Sequence, residues 1–253
     1  MQRCHRSILG VFALFATAFA VATPAAAQER ELQFVRESLF KLSLGDIPAF
    51  DAFVNEHVAP ILAEMQEAGR IQGYASNTHH TGGEYNYRTT IRFYDWASID
   101  LVVGDLVQGL EASAGSDLNR LQALILSHSD DIWRVDEQNF AEDQGPTNYL
   151  YDAVFSVKGN DMPRFLELFE SSWRPGLQAG IDAGLLNGYV RMSHAHGGPG
   201  NVKLLYFYSD WDSMDDAFNL IFSTGGERLM EAVGMVYSHH DNLWVSGVLG
   251  VDN

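Results

Sequence analysis

Residues 73–100 read GYASNTHHTGGEYNYRTTIRFYDWASID, and the chain repeats this pattern 115 positions later. Residues 188–215 read GYVRMSHAHGGPGNVKLLYFYSDWDSMD. The glycines, the first histidine, one asparagine and the Asp-Trp-x-Ser-x-Asp ending recur in the same order. Between residues 40–100 and 155–215, 18 of 61 positions are identical. A match of this length at one fixed offset indicates an internal duplication and predicts two copies of one structural unit.

Each copy has the same order of predicted elements. Apolar and β-branched residues predict a first strand, Leu32–Ser43 in one half and Asn148–Val157 in the other. A helix capped by Asp46 or Asp161 follows, with a proline that predicts a kink and an Ala-Gly ending. A glycine-bearing loop then joins two strands as a hairpin, and a second helix leads to the last strand. The order is β-α-β-β-α-β, the ferredoxin-like unit, with an expected strand order of 4-1-3-2.

This unit leaves one sheet face without helices. We expect it to carry apolar or aromatic side chains such as Phe40, Phe155, Tyr94 or Phe207. One half cannot bury this face alone, and the simplest solution is to pack the two sheets against each other. The predicted fold is therefore α+β: two tandem ferredoxin-like repeats whose antiparallel sheets pack face to face as a pseudo-dimeric α/β barrel.

In these features the chain resembles the dimeric α/β-barrel superfamily, in a tandem single-chain form. The resemblance covers residues 32–250 and rests on the element order, the first helix ending in Ala-Gly, and the Asp-Trp before the second helix. It implies the barrel fold. Members include antibiotic-biosynthesis-type monooxygenases and the chlorite-dismutase group. The resemblance therefore also suggests monooxygenase or isomerase activity and, by analogy, haem binding. No clear proximal histidine stands on a predicted helix, and no catalytic residue is transferred from any member family.

The N-terminus has the pattern of a cleavable signal peptide. Arg3 and Arg6 precede an apolar run, residues 8–21, and the small residues Ala25-Ala26-Ala27 follow. We expect cleavage before Gln28 and export to a periplasm or the medium. The predicted organisation is a signal peptide at 1–27, a first repeat at 28–136, a linker at 137–147 and a second repeat at 148–253.

Composition narrows the range of partners. The only cysteine, Cys4, leaves with the signal, so the mature chain is cysteine-free and has no thiolate chemistry. It keeps 14 basic against 33 acidic residues, a net charge of −19. That charge argues against nucleic acid and against anionic membrane surfaces. Two interpretations of it remain open: a solubility device, or recognition of cationic ligands.

Histidines near carboxylates are the candidate chemical groups. The last strand of each half contains one such pair, in SHSDDIW and in SHHDNLW. In each motif a histidine and an aspartate lie two residues apart, on one face of the strand. A carboxylate beside an imidazole fixes its tautomer and raises its basicity, as in metal sites and general bases. The alternative is structural hydrogen bonding at strand ends. The catalytic candidates are His79, His194, His128, Asp130, His239 and Asp241, and the four histidines are also the candidate metal ligands.

Topology predicts where these groups meet. The second and fourth strands are sheet edges, so an edge of one half lies near an edge of the other. We expect His79 to approach His239, and His194 to approach His128.

Two further features have open interpretations. Arg88 and Arg92 share one face of their strand and correspond to Lys203 and Phe207 in the second half, so they either line a cavity for a flat organic molecule or face solvent. Trp133 and Trp244 are expected in the core.

The function predicted is binding of a small organic ligand in or near the barrel between the repeats, with no cofactor or a His-ligated metal. The alternative is a monooxygenase- or isomerase-like enzyme, or a metal-binding protein. A monomer satisfies the internal twofold symmetry, although free sheet edges could pair further.

Overall fold

The computed structural model describes residues 34–143, 145–198 and 200–246. The predicted signal peptide lies outside the described residues. The eight strands are β1 (Phe34–Leu42), β2 (Gly73–Thr81), β3 (Tyr87–Phe93), β4 (Ile125–Phe140), β5 (Tyr149–Val157), β6 (Gly188–His196), β7 (Val202–Tyr208) and β8 (Val236–Ser246). The helices are α1 (Ile47–Phe53), α2 (Ala59–Glu67), α3 (Ala97–Ala114), α4 (Asp117–Leu124), α5 (Met162–Leu168), α6 (Arg174–Asp182) and α7 (Ser213–Gly234).

The strands form one closed antiparallel barrel in the order β1-β3-β2-β8-β5-β7-β6-β4, with β4 returning to β1. Four strands of the first half are contiguous, and so are the four of the second. The predicted approach of the sheet edges is confirmed, because β2 pairs with β8 and β4 pairs with β6. The edges are hydrogen-bonded, so the two sheets form one continuous barrel wall with no free edge.

Equivalent strands of the two halves pair in equivalent registers. Phe40 lies opposite Tyr87 and Phe155 lies opposite Val202, which preserves the offset of 115. The side chains of Phe40 and Phe155 face the helices, contrary to the prediction. Phe40 packs 5.0 Å from Phe50, and Phe155 packs 5.5 Å from Trp173, between ring centroids. The alternation of side chains along a strand shows which residues share a face. It does not show which of the two faces points toward the helices, and the pairing with neighbouring strands decides that.

The predicted helix irregularities are present as π-helical turns. The turns span Val54–Val58 and Phe169–Trp173, just before Pro60 and Pro175. Proline removes a backbone N–H and crowds the preceding turn, which favours such a bulge.

Capping agrees with the sequence at the second helix of each half and differs at the first. The Asp95 carboxylate accepts a hydrogen bond from the Ser98 N–H at 2.8 Å, and Asp210 does the same for Ser213. Asp46 and Asp161 occupy N-cap positions without a side-chain capping bond, because their backbones are already helical.

The predicted linker begins too early. β4 continues to Phe140, which pairs with Gly188 of β6. Residues 137–140 are therefore part of the barrel wall, and the connection to β5 is shorter than predicted. Among the described residues, no helix combines the length and apolar character needed to cross a lipid bilayer.

Candidate functional site

Glu37, Arg88, Lys203 and Asp152 form a cluster of charged side chains inside the barrel. Glu37 is 1% exposed, and Arg88 and Lys203 are each 2% exposed. Glu37 contacts the Arg88 Nε and the Lys203 Nζ, each at 2.5 Å, and Lys203 also lies 3.2 Å from an Asp152 oxygen. β1 and β7 are not neighbours in the barrel, so the contact between Glu37 and Lys203 spans its interior. The alternative in which Arg88 and Lys203 face solvent is therefore excluded.

The two acids in this cluster have opposite pKa shifts. Burial would raise the pKa of Glu37, but Lys203 and Arg88 outweigh it and lower the pKa to about 2. Burial raises the pKa of Asp152, and the attraction of Lys203 does not fully offset it. Glu37 is thus the carboxylate that both cations stabilise.

Two tryptophans and two of the candidate histidines also lie on the interior face of the barrel wall. Trp133 and Trp244 are 1% and 0% exposed, which confirms their predicted core position. The Lys203 Nζ lies 4.8 Å from the Trp133 ring centroid. His79 packs 5.5 Å from Trp244, and His194 packs 5.1 Å from Trp133. Burial lowers the pKa of His79, so its ring is neutral near pH 7.

The register does not bring the predicted histidine pairs together. His79 lies opposite Trp244, five residues from His239 along β8. Five residues of strand span roughly 16 Å, and an odd separation puts the two side chains on different faces. His194 is related to His128 in the same way, because it lies opposite Trp133. The expected approach of His79 to His239 and of His194 to His128 is therefore wrong. The chemical roles proposed for these histidines stay predictions.

Both predicted His-Asp pairs form, on the outer, helix-facing side of the barrel. The Nε2 of His128 lies 3.8 Å from the Asp130 Oδ2, and that of His239 lies 3.7 Å from the Asp241 Oδ2. In the first half, Arg36 contacts Asp130 at 3.1 Å and the Ser38 hydroxyl donates to it at 2.5 Å. Asp130 is therefore held in a structural ion pair.

The second half lacks this arrangement. Tyr151 and Ala153 occupy the positions that correspond to Arg36 and Ser38. The pKa of Tyr151 is raised, first by burial and then by the neighbouring Asp241 carboxylate. Within the described ranges, Asp241 forms no ion pair with a lysine or arginine. The Asp241 carboxylate thus has His239 and Tyr151 as neighbours, where Asp130 has an arginine.

Two adjacent cavities lie beside the His239–Asp241 pair, between α7 and the outer face of β5 and β8. Their volumes are about 440 and 460 Å³, and they share Tyr151, Phe218 and Asp241. The first, the mouth cavity, is lined by Thr81, Gly82, Tyr151, Trp211, Met214, Asp215, Phe218, Asp241, Asn242 and Leu243. The second, the aromatic cavity, is lined by Tyr151, Ala153, Phe155, Trp173, Tyr206, Phe218, Phe222, Val233, Val236, His239 and Asp241. Both lie outside the barrel, against the outer face of its wall.

Sequence reasoning missed the aromatic lining, although the repeat contained the signal. Trp173, Tyr206 and Phe218 correspond at the offset of 115 to three aliphatic residues, Val58, Ile91 and Val103. Aligning the halves for their differences would have marked the second half as the one with a distinct cavity.

The candidate histidines do not converge on a metal site. Within residues 34–143, 145–198 and 200–246, no three His, Asp or Glu side chains are grouped so as to hold a metal ion. The helices next to the two cavities, α5 to α7, contain no histidine. An imidazole for haem iron would have to come from His239, which is 61% exposed on β8. The cavity residues therefore fit a haem poorly.

Solved structures with this fold cover most of the chain. A proposed monooxygenase from Lactobacillus acidophilus NCFM is 13% identical, with a TM-score of 0.59 over 85% of this chain and 94% of its own. An anthrone oxidase-like protein is 14% identical, with a TM-score of 0.54 over 86% and 92%. The chlorite dismutase of Candidatus Nitrospira defluvii is 7% identical, with a TM-score of 0.59 over 86% and 92%.

These neighbours share the α+β-barrel fold expected from the sequence. At such low identity the likeness shows the fold alone. No protein-family model and no curated protein matches the chain.

Proposed function

We propose that the second half binds a small organic molecule with a flat apolar body, held between α7 and the outer face of β5 and β8. The observation that carries this proposal is the aromatic cavity beside Asp241, which has no arginine partner in the part of the chain that the structure describes. Ligand sites combine a mostly apolar lining with a few polar groups that orient the ligand. Here the rings supply the lining, and Asp241, His239 and the Tyr151 hydroxyl supply the polar end.

The test compares one cavity residue with its counterpart in the first half. Phe218→Ala should weaken binding of a neutral naphthalene derivative about tenfold, corresponding to ~1.4 kcal/mol. Val103→Ala should leave that binding unchanged, since the equivalent ring is absent there. Binding is measured by calorimetry on the mature protein, and thermal melting verifies that both variants fold. Equal losses in the two variants, or no binding to wild type, would contradict the proposal.

A second candidate is an enzyme of the monooxygenase or isomerase kind, with His239 as the base. The 3.7 Å approach of Asp241 favours it, because a carboxylate stabilises the imidazolium that forms when the ring accepts a proton. One structural neighbour is named anthrone oxidase-like, which makes anthrone a suitable first compound. Oxygen uptake and absorbance should change in its presence, and His239→Ala should abolish the change while His128→Ala preserves it. No turnover of anthrone or of related ketones would leave only the binding role.

A resident metal is tested on the purified protein itself. Elemental analysis would show near-stoichiometric metal, removed by His239→Ala, if that histidine is a ligand. A Soret band in the absorption spectrum would demonstrate haem.

We also propose that the chain is exported and that its halves are duplicated ferredoxin-like units. The N-terminal pattern supports the first, and the equal registers of β1–β3 and β5–β7 support the second. Expression of the full chain in a Gram-negative host should yield a periplasmic protein. Its measured mass should equal that of a chain that begins at Gln28. A cytoplasmic, full-length product would refute export.

A further inference from the structure

We infer that the ligand is an organic cation, an amine whose charged end sits in the mouth cavity against Asp241 and Asp215. This inference rests on the proposed function and specifies its ligand. The apolar body of the molecule would extend into the adjoining aromatic cavity, which shares a wall with the mouth.

The lining of the mouth cavity has the composition that organic cations require. Two carboxylates, Asp215 and Asp241, line it together with the rings of Tyr151, Trp211 and Phe218. Of the lining residues that the structure describes, none is a lysine or an arginine. Aromatic faces attract cations through their quadrupole, and cages of such rings recognise alkylammonium groups. An anionic ligand would meet two like charges here. The site should therefore favour positively charged ligands over negatively charged ones.

The first half contains a built-in example of this contact. There Asp130, the counterpart of Asp241, is paired with the guanidinium of Arg36 at 3.1 Å. Arg36 stands at the position of Tyr151. The second half thus has the same carboxylate, with an aromatic ring beside a cavity at the position of the cation. A ligand ammonium would supply the charge that Arg36 supplies in the first half.

The surroundings hold the mouth in place and favour a positive ligand. Trp211 packs 4.8 Å from His80 of the first half and 5.9 Å from Tyr149, between ring centroids. At the corresponding place in the first half, Trp96 packs on Phe34, and the counterpart of His80 is Ala195. The contact between Trp211 and His80 therefore joins the two halves beside the cavity. The equivalent residues, Trp96 and Ala195, do not form such a ring contact. The net charge of −17 draws cations toward the protein.

The experiment uses three ligands with one naphthalene body and different head groups. These are (naphthylmethyl)trimethylammonium, naphthylmethanol and naphthoate, titrated calorimetrically into the mature protein at low and high salt. The ammonium should bind at least about tenfold more tightly than the alcohol, as expected for ~1.4 kcal/mol. Naphthoate should bind most weakly, and salt should reduce the preference for the cation.

Variants identify the groups responsible. Asp241→Asn and Asp215→Asn should each lower ammonium affinity severalfold, and by a larger factor than they lower the affinity for naphthylmethanol. Asp130→Asn is the matched control and should change neither. Tyr151→Arg, which recreates the arrangement of the first half, should abolish the preference for the cation.

The outcomes separate this inference from the function on which it rests. Equal affinity for the ammonium and the alcohol would overturn the cation inference and leave the binding function intact. No binding of any of the three would overturn both. A cation preference that survives Tyr151→Arg and both aspartate variants would refute this site as its origin.

Discussion

Glu37, Arg88, Lys203 and Asp152 form a buried cluster whose formal charges cancel. Each ion pays a desolvation cost that only close, well-placed partners offset. Glu37 has both cations within 2.5 Å, whereas Asp152 contacts Lys203 alone at 3.2 Å. The cluster links the first half to the second across the barrel interior. Its residues therefore help to hold the two halves together.

Replacing Glu37 should be the most damaging change in the cluster. Glu37→Gln leaves two buried cations with one carboxylate, and breaking a buried pair costs about 3–5 kcal/mol. Asp152→Asn should cost less, because burial already favours the neutral form of that carboxyl. Urea unfolding at pH 7 measures both. A larger loss for Asp152→Asn would contradict the assignment of Glu37 as the central acid.

The same cluster should give an acid-dependent stability. The pKa of Glu37 falls from 4.5 to about 2 on folding, so its contribution is present above pH 4.5 and is lost as pH falls toward 2. Asp152, whose pKa is raised, contributes with the opposite sign. Unfolding free energy measured from pH 5 to pH 2 should fall more steeply in wild type than in Glu37→Gln. Parallel profiles would show that Glu37 is not the group responsible.

At the scale of elements, the hairpin of each half is fastened to a strand of the other. Gly82 and Gly197 have φ values of 125° and 121°. A Cβ on Gly82 would lie 2.4 Å from the Asp241 carbonyl oxygen. The next N–H, that of Gly83, donates to the Asn242 side chain at 2.7 Å. The recurring Gly-Gly, predicted as hairpin geometry, is thus also required by the contact between the halves.

Substitution at these glycines should weaken the closure of the barrel. Gly82→Ala and Gly197→Ala should each destabilise the protein by about 1–3 kcal/mol, since a positive φ and a backbone clash both oppose the methyl group. Gly104→Ala, on α3 with open space around it, is the control and should stabilise by about 0.5–1 kcal/mol. Thermal unfolding compares the three, and equal behaviour would disprove the requirement for close approach.

On the scale of the molecule, the two halves share one barrel. The β2–β8 and β4–β6 pairings and the contact between Glu37 and Lys203 all cross between them. Either half alone would leave its edge strands unpaired and would lose the contact between Glu37 and Lys203.

The mature chain should therefore unfold in one cooperative transition, with coincident changes in far-UV circular dichroism and tryptophan fluorescence. The separate segment 28–143 should show no cooperative melting. Two resolved transitions in the full chain, or a stably folded segment, would contradict a shared barrel.

Much of this architecture could be predicted from the repeat, because glycines, prolines and Asp-Trp pairs report local backbone geometry. The hairpins, the proline-associated bulges and the edges that meet follow from that local information. The candidate site was predicted only in part. The His239–Asp241 pair depends on spacing along one strand and was correctly placed on one face, but its partners come from β5 and α7, distant in sequence.

The sequence by itself determined the element order, the strand order within each half and the meeting of edges between halves, since these depend on periodicity, chain reversal and connection handedness. Only the tertiary structure decided the register across the seams, and with it which side chains meet. It separated His79 from His239, turned Arg88 and Lys203 into the barrel, and placed aromatic rings beside Asp241. A strand pattern has a period of two and leaves its face and offset undefined until its neighbours are in place.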